Sequence, residues 1–140
     1  MKFTADRNLL SDAVINASKV TASHSSIPAL EGILINLKNN VITVTGYDLD
    51  SGIKNMIPVI SAEEDGEVVL NAKLLADMLK KMPSGFPIEL TCEEETKVTI
   101  KCGTVEFKLV GVSGNNYPNL PEMSLAVSFN IKENILKSMI

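Results

Sequence analysis

One short pattern recurs three times along the chain: a strand-like run, a residue able to cap a helix, then a helix opening on two adjacent aliphatic residues. The first copy covers residues 3–14 with Leu9-Leu10, the second 69–79 with Leu74-Leu75, and the third 129–140 with Ile135-Leu136. Phe3 and Phe129 stand 126 positions apart, as do Leu9 and Ile135, while Leu9 and Leu74 stand 65 apart, about half that period. Such a repeat restricts the architecture, because each unit carries an apolar face that only a neighbouring unit can cover. We read residues 1–120 as one domain of two similar halves, 1–60 and 61–115. Residues 121–140 read as the truncated start of a second domain, stopping mid-helix. The expected fold class is α+β: two helices packed on one face of antiparallel sheet, with an internal pseudo-two-fold repeat.

Local signals support this layout. Asp6 is placed to cap a helix, and Leu9, Leu10, Ala13, Val14, Ala17 and Val20 recur at helical spacing as one apolar stripe. Its opposite face carries Asn8, Ser11, Asp12, Asn16 and Lys19. Asn39-Asn40 tolerates positive φ and joins two alternating runs, so that Leu37 should face Ile42 and Ile35 should face Val44. Pro58 suggests an edge position or a bulge in the strand over 53–60, and residues 61–66 read as an acidic loop. Asn71 is the second cap, with Leu74, Leu75, Met78, Leu79 and Met82 as the stripe behind it. Strands are expected over 88–92, 98–102 and 104–109, with a tight turn at Gly103. Residues 115–121 read as an interdomain linker, and residues 125–131 as a further strand.

Composition narrows the function. The formal net charge is −4, unlike a domain that grips nucleic acid by bulk attraction, so any DNA-facing charge must be local. No apolar run reaches the roughly 18–20 residues of a membrane helix, no stretch resembles a signal peptide, and a cytoplasmic protein with no membrane partner is expected. Cys92 and Cys102, in strand-like runs, read as buried free thiols rather than metal ligands. Asp48 and Asp50 are explained by Asx-type turn bonding more simply than by a cation. The chain contains no Gly-rich phosphate loop, nucleophile elbow, HExxH or CxxC, so no enzyme, metal or cofactor is expected.

Four segments in this order carry a family resemblance: Met1-Lys2-Phe3-Thr4, Ile27-Pro28-Ala29-Leu30-Glu31-Gly32, Thr45-Gly46-Tyr47-Asp48-Leu49-Asp50 and Tyr117-Pro118-Asn119-Leu120-Pro121. With them the chain resembles the N-terminal domain of the sliding-clamp family, the β subunit of bacterial DNA polymerase III. The resemblance implies a DNA-clamp fold and a non-catalytic processivity factor. In that family each chain has three similar domains, and two chains join head to tail into a ring around duplex DNA. Helices line the hole and sheets form the rim. The polymerase and the clamp loader would bind through the second and third domains, almost wholly beyond residue 140. The rival reading is a stand-alone α+β domain that binds a ligand or a protein.

The resemblance also nominates residues. Lys19, Lys73, Lys80 and Lys81 would face DNA; the alternative is a solvated face on which Lys73, Asp77 and Lys81 pair at i,i+4. His24 falls where the family often has an arginine that touches DNA, and a histidine mostly neutral at pH 7 would contact it more weakly or serve as an exposed loop residue. Phe107 and Leu109, on the last strand, would belong either to the head-to-tail ring interface or to the core.

Overall fold

The computed structural model describes residues 1–121 and 128–140. Its first half opens with strand β1 (Lys2–Ala5) and helix α1 (Arg7–Ser18), joined at Asp6. The Asp6 side chain accepts from the amides of Asn8 and Leu9, two of the donors that a helix start leaves without partners. The second half opens alike: strand β6 (Gly66–Asn71) leads into helix α2 (Ala72–Lys81), and the Asn71 side chain accepts from the Leu74 amide. The two caps are offset by the same 65 positions as the leucine pairs.

Each helix is followed by four strands. In the first half these are β2 (Gly32–Lys38), β3 (Val41–Tyr47), β4 (Gly52–Pro58) and β5 (Ser61–Glu64); in the second, β7 (Ile88–Glu93), β8 (Lys97–Cys102), β9 (Val105–Val110) and β10 (Val112–Ser113). The antiparallel sheet is divided in two, in the orders β5-β1-β7-β8-β9 and β10-β6-β2-β3-β4. Each half thus gives its opening strand and its last short strand to the other half's sheet. Neither half can complete a sheet alone, so the repeat is bound into a single unit.

Register follows the side-chain alternation. Leu37 pairs with Ile42 and Ile35 with Val44, across a turn in which Asn39 and Asn40 take φ of 52° and 62°. The β4 strand is an edge, which accommodates Pro58, and Gly103 turns the chain with φ of 59°. Residues 61–64 of the expected acidic loop are instead strand β5, the last of the first half rather than the opening of the second, paired to the free side of β1. Its sequence lacks an apolar alternation because it is an exposed edge. Backbone pairing and a Lys2–Glu63 ion pair of 2.9 Å hold it there, and its charges suit a strand that must not recruit another chain.

One core joins the inner residues of both sheets to both helices, including Phe3, Leu10, Ile33, Ile35, Leu75, Leu79, Ile88 and Ile100. Each such side chain contributes about 1.5–3 kcal/mol by leaving water. Cys92 and Cys102 are buried free thiols within it, as expected. The expected stripes need correcting at both helices. Leu9 (45%) and Leu74 (47%) are exposed, whereas Leu10 and Leu75 are each 1% exposed. Ser11, assigned to the outer face, is buried along with its equivalent Ala76, because the helices lie side by side. Val20 falls beyond the end of α1 and is half-buried.

A smaller apolar cluster sits apart from this core: Ala29, Leu30, Tyr47, Val69 and Tyr117, with Leu34 and Leu120 packed against it. The segment read as a linker is therefore docked. The Tyr117 hydroxyl donates to the Thr45 carbonyl at 3.4 Å, and burial pushes its pKa up to about 12. Leu120 lies so close to Gly52 that a Cβ there would come within 2.2 Å of it. Of the strand expected at 125–131, residues 125–127 lie outside the described residues, and 128–131 form no strand. Helix α3 (Glu133–Met139) follows with no buried residue.

Candidate nucleic-acid interface and edge strand

The helices run antiparallel, so the start of each lies beside the end of the other. Where α2 begins and α1 ends, a cleft of about 570 Å³ is lined by Ser18, His24, Glu31, Asn71, Lys73 and Lys80, among others. Three of the five nominated residues, His24, Lys73 and Lys80, therefore share one groove. Lys73 and Lys80 are seven apart and rise from the same side of α2, on either side of the small Ala76. The 65-residue equivalents of Ala72 and Lys73 are Arg7 and Asn8, and these line a different cleft, at the opposite end of the helix pair.

Lys19 is the C-cap residue of α1, next to Ser18 of the groove wall. Lys81 is exposed in the last turn of α2, but on the side shared with Leu74 and Asp77 rather than in the groove. All five nominated residues are exposed. Among the described residues, no ion pair uses Lys19, Lys73, Lys80 or Lys81; the pairs recorded involve Met1, Lys2, Lys97, Lys101 and Lys108. The i,i+4 pairing of Asp77 with its neighbouring lysines is not formed, which leaves these ammonium groups to water or to an anion. Asp12 and Asp77 sit exposed on the outer helix faces and keep the local field modest.

The groove also has one carboxylate, Glu31, which is already engaged: its Oε1 accepts from the Ser25 amide at 3.1 Å. That bond shapes the loop bearing His24. Asp48 is likewise occupied by its own turn, accepting from the amides of Asp50 and Ser51 at 3.0 and 2.6 Å. Among the described residues no group of three or more His, Cys, Asp or Glu is arranged to hold a metal ion.

Phe107 and Leu109 lie on β9, the outermost strand of its sheet. Both are half-buried and pack against the main core. Their side chains pack inward, and among the described residues no strand pairs with the outer edge of β9. Val110, at the end of the strand, is 82% exposed. The helix-side residue that sequence reasoning passed over is Arg7, the chain's one arginine, whose guanidinium reaches the end of α2. An arginine in the first turn, where an acidic residue is electrostatically preferred, was the available signal.

The model of the family described as "DNA polymerase III beta subunit, N-terminal domain" matches residues 1–121. The chain belongs to that family. Over its whole length it is 33% identical to a beta sliding clamp of Halalkalibacterium halodurans and 30% identical to that of Bacillus subtilis. It covers 38% and 39% of those proteins, so it spans less than two fifths of the curated relatives it matches. Among solved structures, the sliding clamp of Bacillus subtilis superposes with a TM-score of 0.92 at 29% identity, covering 99% of this chain and 38% of that one. The DNA polymerase III subunit beta of Pseudomonas aeruginosa gives 0.90 at 26% identity, covering 98% and 37%. The α+β layering expected from the repeat, and the clamp fold implied by the resemblance, are thus the fold of the family.

Proposed function

We propose that residues 1–120 are the first domain of a DNA sliding clamp, a non-catalytic processivity factor, and that residues 121–140 open the second domain. In this reading the full-length polypeptide pairs head to tail with a second copy and closes a ring around duplex DNA. It tethers the replicative polymerase by encirclement, in the cytoplasm. The polymerase and the clamp loader dock on the later domains. The observation that carries the proposal is the family match over residues 1–121, joined to a helix face bearing unpaired lysines in a chain of net charge −4.

The physical logic is that a closed ring cannot fall from a long duplex, so it has no need of tight contact. Each phosphate neutralised releases counterions and makes binding steeply salt-dependent, and dense contacts of that kind would slow sliding. Lys73, Lys80 and His24 in one groove, with Lys19 and Lys81 beside it, supply a few weak contacts. The exposed Asp12 and Asp77 prevent a strong one. The free edge of β9, with Phe107 and Leu109 behind it, is the surface on which the partner's third domain would close the ring.

Alanine replacement of Lys73, Lys80 and Lys81 together in the full-length polypeptide tests the helix face. The salt dependence of its DNA association should flatten by up to about three log–log units. An unchanged slope would remove these residues from the DNA-facing set.

A further inference from the structure

Helix α2 ends without the usual device. No glycine follows it; Met82 is the C-cap in an extended conformation and Pro83 comes next. The last carbonyls of a helix need donors from elsewhere, and a glycine-based cap is the commonest local supply. Here the Met82 amide supplies one local donor, to the Leu79 carbonyl at 3.3 Å, and the other donors come from the other helix. Arg7 Nη2 donates to the carbonyls of Met82 (3.0 Å), Leu79 (3.3 Å) and Lys80 (3.5 Å), and Nη1 donates to Asn8 Oδ1 (3.0 Å). The Nε of Arg7 is buried without a partner, so the guanidinium is committed by its outer nitrogens. By contrast, α1 finishes with its own hydroxyls: Ser18 donates to the Ile15 carbonyl at 2.7 Å and Thr21 to the Ser18 carbonyl at 3.0 Å.

We propose that Arg7 is a positioning residue for the lysine face: by closing the last turn of α2 from outside, it fixes where Lys80 and Lys81 project. This rests on the reading of that face as DNA-facing. Arg7 itself stands at the opposite end of the pair from the groove that holds His24 and Lys73, so its effect passes through the backbone of α2. In arginine a single nitrogen, Nη2, meets the three carbonyls while Nη1 is tied to Asn8, so the group is held from two sides; a lysine at position 7 keeps the charge but has one nitrogen on a flexible stem and loses that second anchor.

The test is a double-substitution cycle in the full-length polypeptide, reading the slope of log association constant against log salt for duplex DNA. Replacing Lys80 and Lys81 by alanine should lower the slope by about 2 in the wild-type background. In an Arg7→Lys background the same replacement should lower it by less than 1, because the ammonium groups are no longer aimed. Arg7→Gln, which retains amide donors, is the second background and should give an intermediate loss; a cooperative melt establishes that each variant folds. Equal losses in all backgrounds would overturn the proposal, leaving Arg7 a plain structural contact. No loss in the wild-type background would overturn the DNA-facing reading itself, and the two failures are thereby distinguished.

Discussion

The two halves of the domain share a skeleton and differ at their helix ends. Both begin with a strand that crosses into the other half's sheet, then a polar cap, then a leucine pair with the first side chain exposed and the second buried. Beyond that they diverge. The end of α1 lies directly on β3, where a Cβ on Gly46 would come within 2.2 Å of the Ala17 carbonyl oxygen. The end of α2 is instead held by Arg7. At the position equivalent to Arg7 stands Ala72, and the space beside it is the groove that gathers His24, Lys73 and Lys80. The lesson is that the repeat dictates the packing, while departures from it create the surface available for function.

If the halves are equivalent in their cores, Leu10→Ala and Leu75→Ala should each cost about 2–5 kcal/mol, with similar values. Denaturant unfolding measures both, and a difference of several-fold would break the equivalence. Tyr117→Phe should cost about 1 kcal/mol by deleting the bond to Thr45. It also has a pH signature. Burial raises the phenol's pKa from near 10 to about 12 in the fold, so the neutral form is the one favoured. That contribution is fully present below pH 10 and is lost as the pH rises through 12. The wild-type protein should therefore lose stability over this window relative to the Phe variant, as followed by thermal melts. The caps should separate the halves slightly. Asp6→Ala should cost about 1–2 kcal/mol and Asn71→Ala about 0.5–1, since Asp6 accepts two amides and Asn71 one; equal costs would show that the second amide adds nothing. The smallest effect is expected from Lys73→Ala, Lys80→Ala and Lys81→Ala combined. Unpaired and exposed, these residues should change stability by under about 0.5 kcal/mol while altering salt-dependent DNA association.

Much of this layout is legible in the sequence because it depends on local chemistry. Caps, the Asn39-Asn40 turn and the alternation of Ile35, Leu37, Ile42 and Val44 each act within a few residues. The pseudo-two-fold repeat was visible as an offset. What the sequence hid was non-local. Residues 61–64 have no strand pattern, and only the free edge of β1 makes them a strand. Ser11 looks like a surface residue until a second helix lies against it. Arg7 acts across 75 positions on the Met82 carbonyl, a bond that no local rule anticipates. For the candidate site, the lysines were nameable only through the family resemblance added to their helical spacing, and the grouping of Lys73 and Lys80 with His24, and the separation of Lys81 from them, depended on how two helices and a loop meet.

Retention on DNA circles separates encirclement from affinity. The full-length polypeptide, loaded onto a closed circular duplex, should remain bound through gel filtration at moderate salt and should be lost once the circle is cut. Residues 1–140 alone should not be retained on either form. Equal retention on circular and linear DNA, or stable retention of the 140-residue chain on the closed circle, would show that contact rather than closure holds the protein on DNA.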